Sequence, residues 1–222
     1  MLKNMDTQKF SQNAYRRSDI YWLLASVYSQ ELDESFIENL DNSPLHLLIT
    51  KGGRWDKGFW AQSAQKICKE LAVEYTRLFL GPKNHIPPFE SLYNYKEGEI
   101  RQIWGAAPVE VKKIIESSGL SFKKDYGSIP DHIGIELEFM QKLVKNEAQL
   151  WEREKNDSQL SKIIELEKKF IDEHLYIWIP DFCQRVIEAA KLDFYRNFAG
   201  LTRDFIMNEK EEVKNLLSFF ID

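Results

Sequence analysis

The sequence predicts an all-α fold, a single compact helical domain spanning residues 1–222. Three observations carry the helical prediction. Apolar residues recur at spacings of three and four, as in Ile133, Leu137, Met140 and Val144, which puts them on one helix face. Strand-like alternation persists nowhere. Breakers such as Asn42-Ser43-Pro44, Gly81-Pro82 and Gly119 fall at the ends of periodic stretches. A chain of 222 residues with 43% hydrophobic and 13% aromatic content buries a sizeable core without a metal or disulfide staple.

The elements follow in order. Tyr21, Leu24, Ala25 and Tyr28 mark a helix between Phe10 and Gln30. A second runs from Asp33 to Leu40 with Asp33 as its N-cap. Leu45 to Thr50 forms a short helix ended by Gly52-Gly53. Trp60, Ala64, Ile67, Leu71, Tyr75 and Leu78 define one long helix from Phe59 to Phe79. From Lys83 to Gly105 the helical signal lapses, and Pro87-Pro88 enforces an extended stretch. This longest loop could divide N-terminal and C-terminal halves of one body (residues 83–105), and long ordered loops tend to carry function. Pro108 opens a helix to Ser118 with Gly119 as its C-terminal cap. Phe122 to Ile129 is a second loop. Pro130 starts the strongest helix, ending near Lys155. Leu160 to Leu175 is followed by a break at Trp178-Ile179-Pro180, then by a helix to Lys191. Asp193 caps a helix from Phe194 to Met207, and Glu211 to Phe220 is the last.

Net charge is −5. That argues against a nucleic-acid partner, which needs clustered Lys and Arg, and leaves room for a basic one. Cys68 and Cys183 lack metal-ligand spacing and read as buried free thiols, compatible with a reducing cytosol. Residues 1–6 lack the apolar stretch of a signal peptide, and the apolar runs fall short of a membrane span. The expectation is a cytoplasmic protein with no membrane span. Arg16-Arg17 is followed at once by Asp19 and reads as the solvated face of the first helix.

No enzyme and no catalytic residue are predicted. His-Glu-x-x-His, Gly-x-Ser-x-Gly and phosphate-binding glycine patterns are absent. Asp131-His132 has no nucleophile or oxyanion cradle identifiable beside it. His132 and Glu136, four apart on a helix, can meet on one face. They give the alternative reading, a metal-handling protein or metallochaperone. A metal needs further ligands, with Asp131 and His85 as candidates, but no signature links them, so no metal and no cofactor are expected. Asp131 suits the positive end of the helix dipole. His132 is expected as a neutral imidazole bonded to a loop carbonyl or a ligand.

Two loop cassettes stand out. Tyr75, Leu78, Phe79, Phe89, Leu92, Tyr93 and Tyr95 concentrate apolar area around Gly81 and Pro87-Pro88. Leu78 and Phe79 suit the core, whereas Pro87, Pro88, Phe89 and Tyr93 suit a partly exposed patch, because prolines at a loop tip offer a rigid apolar surface. Glu74, Glu90, Asp131 and Glu136 are candidates for negative rims around a basic target.

On these residues the chain resembles the TorD/DmsD family, whose relatives include NarJ. The resemblance rests on Tyr75-x-x-Leu78-Phe79-x-Gly81-Pro82, on Pro87-Pro88-x-x-Ser91-x-Tyr93, and on Pro130-Asp131-His132 leading into Glu136-Leu137-x-Phe139-Met140. A weaker echo is His174-Leu175-x-x-Trp178. The resemblance implies a cytoplasmic chaperone that binds the twin-arginine leader of a molybdopterin-dependent reductase of the DMSO/TMAO reductase type. It would withhold export until the cofactor is inserted. The implied partners are that leader, the apo form of the molybdoenzyme and the Tat export machinery, with the chaperone a monomer or helix-swapped dimer. Guanine nucleotide is a cofactor by family analogy alone, and nothing in the sequence resembles a phosphate loop. The implied leader contacts are Tyr75, Leu78, Pro87, Pro88, Phe89, Pro130, Asp131, His132 and Glu136. Replacing Asp131 and His132 together with alanine should then weaken leader binding without unfolding the chain. DmsD-like members have Trp where this chain has Phe89, a change that keeps apolar contact and bears on leader selectivity.

Overall fold

The computed structural model describes residues 7–41, 57–82, 84–94, 105–120, 129–153 and 157–220. The fold is all-α, as the periodicity predicts. Its helices are α1 (Thr7–Ser29), α2 (Glu34–Asp41), α3 (Lys57–Trp60), α4 (Ala64–Tyr75), α5 (Ala106–Ser117), α6 (Ile133–Trp151), α7 (Asp157–Phe170), α8 (Tyr176–Ala189) and α9 (Asp193–Ser218). The predicted helix at Leu45 to Thr50 lies outside the described residues, as do Tyr95 and most of the Phe122–Ile129 loop.

The central pair is α1 with α6. Each contributes a buried stripe: Ala14, Tyr21, Leu24 and Tyr28 from α1, and Ile133, Leu137, Met140 and Val144 from α6. The second pair is α8 with α9, and α7 contacts both α6 and α9. Aromatic rings close the space between these pairs. Phe79 stacks on Phe182 at 6.0 Å and meets Tyr75 edge-on at 5.1 Å and Tyr195 at 5.8 Å. Burying one such ring is worth about 1.5–3 kcal/mol. Leu78 and Phe79 belong to this core. Asp33 caps α2 as expected, its Oδ1 accepting from the Phe36 N–H at 2.7 Å.

Several boundaries differ from the sequence reading, each for a local reason. The long helix expected from Phe59 to Phe79 is divided at residues 61–63, and Ser63 N-caps α4 by accepting from the Lys66 N–H. Its last turn, Thr76–Leu80, is a π-helix. Gly81 does stop it, but in an extended conformation (φ −62°, ψ 153°) rather than a left-handed one. A Cβ there would lie 3.4 Å from the carbonyl oxygens of Thr76 and Arg77, an ordinary van der Waals contact, so neither torsion nor crowding demands glycine at this stop. Gly119, at φ 83°, is the left-handed cap.

Pro108 is the third residue of α5 rather than its first, and α6 begins at Ile133, three residues after Pro130. Pro180 does not break its helix. α7 runs through a π-turn, Ile171–Leu175, directly into α8, and Pro180 lies inside α8. One lost N–H bond is outweighed because Trp178, Ile179, Phe182 and Cys183 are all fully buried around it. α9 is one helix, because Ile206, Glu209 and Val213 are buried across the gap expected near Met207. Cys183 is a buried thiol and Cys68 is half-buried.

Arg17 is not solvated. It is 4% exposed and reaches carboxylates on three other helices, whereas Arg16 is exposed. Its Nη1 donates to Glu147 at 2.6 Å, its Nη2 to Glu167 at 2.8 Å, and its Nε to Glu209 at 2.9 Å. No helix among the described residues is long and apolar enough to cross a membrane.

Candidate functional site

The two loop cassettes form one seam. The 84–94 loop turns at Asn84 (φ 55°) and folds back on the π-turn, where the Ile86 N–H donates to the Leu78 carbonyl at 2.6 Å. It then meets the start of α6 in a single antiparallel bridge between Phe89 and His132. The Ile133 N–H donates to the Pro88 carbonyl at 2.9 Å, and the Glu90 N–H donates to the Asp131 carbonyl at 3.0 Å. The Phe89 ring sits edge-on to the His132 ring at 5.1 Å. Pro87, Phe89, Pro130 and His132 are half-buried, and Pro88 is buried beneath them. Prolines suit this position, since the extended backbone there offers carbonyls to its neighbours and has no N–H to satisfy.

His132 does not lie on the face of α6. It is the N-cap, in extended conformation (φ −73°, ψ 134°), and its Nδ1 accepts from the Gly134 N–H at 3.1 Å. The imidazole is neutral, as expected, but it bonds a donor rather than a carbonyl. Burial pushes its pKa down to about 4. Because His132 precedes the helix, it cannot pair with Glu136 at helical spacing. Glu136 turns inward and its Oε2 accepts from the Trp178 indole N–H at 3.0 Å. The geometry behind the metal-handling alternative is therefore absent. Among the described residues, no group of three or more His, Cys, Asp and Glu is arranged to hold a metal ion.

Asp131 does not serve the helix dipole either. It is fully buried, and its Oδ2 accepts from the Ser91 N–H at 2.9 Å, so the carboxylate holds the loop to α6. Burial raises its pKa, against the lowering effect of the Ser91 bonds. Joint removal of Asp131 and His132 therefore acts on the seam's own architecture, the loop tie and the helix cap.

The negative rim expected from Glu74, Glu90, Asp131 and Glu136 is not on the surface. All four are buried. Glu74 accepts from the Nε and Nη2 of Arg77, both at 2.7 Å, and from the Lys191 N–H at 2.6 Å, tying α4 to the turn before α9. Glu90 meets His174 Nδ1 at 2.9 Å. Each acid has a partner inside the fold, which offsets the cost of leaving water. Tyr75 and Leu78 are likewise buried, and the Tyr75 hydroxyl donates to the Tyr28 carbonyl at 2.9 Å. Of the nine implied contacts, Pro87, Phe89, Pro130 and His132 keep accessible surface, while Tyr75, Leu78, Pro88, Asp131 and Glu136 support them from below.

Sequence reasoning did not single out Gly134. A Cβ there would lie 2.3 Å from Ser29 Oγ and 3.2 Å from Ser29 Cα, so the glycine is what lets α6 begin against the end of α1. No local signal marks it, because the close approach is set by Ser29 at the far end of α1. Gly134→Ala is expected to cost about 1–3 kcal/mol by overpacking, read as a lowered melting temperature by circular dichroism. Adding Ser29→Ala should recover part of the loss. An unchanged melting temperature would contradict the close approach.

Fold and seam define an all-helical protein with a partly exposed proline-aromatic surface at the start of α6. The family model described as "Nitrate reductase delta subunit" matches residues 47–184. The chain belongs to that family, which includes the TorD and NarJ proteins. Among curated relatives, the "Chaperone protein TorD" of Aliivibrio fischeri is 26% identical over 205 residues, covering 86% of this chain and 91% of the relative. The protein of the same name from Vibrio cholerae serotype O1 is 23% identical over 216 residues, covering 91% and 94%. A crystal structure from Archaeoglobus fulgidus, described as a redox enzyme maturation protein, shares the fold with a TM-score of 0.52 at 20% identity, covering 86% of this chain and 93% of that one. The chain is a chaperone of this family and not an enzyme.

Proposed function

We propose that the chain is a cytoplasmic chaperone that binds the twin-arginine leader of a molybdopterin-dependent reductase of the DMSO/TMAO reductase type. In this reading it also engages the apo form of that enzyme, assists cofactor insertion and withholds delivery to the Tat machinery until maturation is complete. The names of its relatives support the class of client. The observation that carries the reading is the seam itself. Pro87, Phe89, Pro130 and His132 present partly exposed proline and aromatic surface on backbone fixed by five hydrogen bonds: His132 to the Ile129 carbonyl, Ile133 to the Pro88 carbonyl, Glu90 to the Asp131 carbonyl, Ser91 to the Asp131 carboxylate and Gly134 to the His132 ring. A disordered leader loses chain entropy on binding, so its affinity must come from a few anchors on a surface that is already ordered. A neutral His132 lets the apolar stretch of a leader lie on the seam without desolvating a charge.

Isothermal titration of the full chain with synthetic twin-arginine leader peptides tests this. Phe89→Ala combined with Pro87→Ala is expected to weaken binding at least tenfold, the loss of a central apolar anchor, with the melting temperature nearly unchanged. Equal affinity in the folded variant would remove the seam from the site. Failure of the wild-type chain to bind any such leader would overturn the reading.

A further inference from the structure

Where α1 ends and α2 begins, the two helices and α6 enclose a cleft of about 400 Å³. Its lining holds three carboxylates, Glu31, Asp33 and Glu138, and no lysine, arginine or histidine. One wall is aromatic. Trp22 is 51% exposed, and its ring lies 6.2 Å from that of Phe36. The carboxylates are held in place. Asp33 Oδ1 accepts from the Phe36 N–H at 2.7 Å and from Ser35 Oγ at 2.8 Å, and Glu31 Oε1 accepts from Thr76 Oγ1 at 3.0 Å. Glu138 takes Lys142 at 2.7 Å, an exposed pair four residues apart on one helix, which a cation within the cleft can replace at little cost.

An indole face beside fixed carboxylates is the arrangement that recognises a guanidinium, which stacks on the ring and donates from its edge. The cleft volume lies at the small end of the range for ligand sites, so it suits side chains and not a folded domain. It also adjoins the seam. Ser29, in the cleft lining, is the residue against which Gly134 packs, two positions after the seam's His132.

We propose that this cleft receives the arginine side chains of an extended basic peptide. The inference rests on the leader-binding reading and deepens it. The seam holds the apolar stretch of the peptide, and the cleft around Trp22 holds the cationic one, a role that the four buried acids of the seam do not fill.

The test uses the full chain and two kinds of probe. The first is a leader peptide with two consecutive arginines, compared with the same peptide carrying glutamines there. Wild type is expected to favour the arginine form about tenfold, as two exposed charge pairs with an aromatic contact would give. Glu31→Gln with Glu138→Gln, and separately Trp22→Ala, should erase that preference and leave the glutamine peptide's affinity unchanged. The second probe is diarginine amide, followed by the Trp22 indole N–H resonance, assigned with Trp22→Phe. It should shift at millimolar probe in wild type and not in the double variant. Equal affinity for the two leaders, or an unmoved Trp22 resonance, overturns the cleft assignment. If the cleft fails while Phe89→Ala still loses leader binding, the leader reading stands alone. If no leader binds but diarginine moves Trp22, the cation site stands and the leader reading falls.

Discussion

Arg17→Leu is expected to lower unfolding stability by about 3–5 kcal/mol, the cost of breaking a buried ion-pair network by removing one partner. Arg17 lies on α1, Glu147 on α6, Glu167 on α7 and Glu209 on α9, so one guanidinium joins four helices. The four groups are at most 4% exposed. The cluster carries more carboxylates than cations, and burial already pushes Glu167 well above the usual carboxylate range and Glu147 up as well. Burial would lower the pKa of Arg17, but Glu209, Glu147 and Glu167 more than reverse this, so the guanidinium stays charged. Without it, Glu147 and Glu167 stay buried only by taking up further protons. Folded pKa values raised above unfolded ones mean stability that is present at low pH and lost as pH rises through the folded values. The loss in Arg17→Leu should therefore be larger at pH 8 than at pH 5, measured by urea unfolding. Adding Glu147→Gln, Glu167→Gln and Glu209→Gln should recover much of it and flatten the pH dependence. A loss under about 1 kcal/mol, or one identical at both pH values, would contradict the network's role.

The stripe of α6 was legible because four apolar residues repeat at helical spacing, and nothing in the fold competes with that. The seam was legible in outline, because proline and aromatic residues have few other uses in a polar loop. The burial of the acids was not legible. Glu147 follows Val144, Glu167 follows Ile164 and Glu209 follows Ile206, each three residues on and thus on the buried stripe. That pattern marks a buried carboxylate, but its partner is Arg17, from 130 to 192 residues away. Local reading instead assigned Arg17 to water on the strength of neighbouring Arg16 and Asp19. The same failure put Glu136 on a rim, although Ile133, Leu137 and Met140 surround it on the buried face. Pro180 misled for the opposite reason. Local propensity marks a break there, and the packing of Trp178 and Phe182 overrides it. The cleft beside Trp22 has no local signature, since it arises from how α2 turns away from α1 and leaves Glu138 of α6 facing both.

Behind the seam, Glu136→Gln is expected to keep stability within about 1 kcal/mol of wild type near pH 5, whereas Glu136→Ala costs about 3 kcal/mol through a cavity and an unsatisfied indole. Glu136 is fully buried, its Oε2 is fixed by Trp178, and its Oε1 has no donor on it. Burial first, and the Glu90 carboxylate next, raise its pKa well above the ordinary 4.5. Both effects favour the protonated form of Glu136, whose O–H is a donor and whose neutrality removes the repulsion from Glu90. Glutamine reproduces that donor and keeps the acceptor for Trp178, so it mimics the protonated acid. The raised pKa contributes stability that is complete below 4.5 and lost as pH climbs through the folded value, a decline the glutamine variant should lack. His132 acts in the other direction. Its folded pKa of about 4 lies below the ordinary 6.5, so its contribution is present above 6.5 and lost as pH falls towards 4. The glutamine variant should therefore retain the acid-side loss and shed the alkaline-side one, both followed by thermal unfolding across pH 4 to 9. A glutamine variant that tracks the wild-type curve at every pH would mean that Glu136 is ionised in the fold and that the charge behind the seam is balanced by another group.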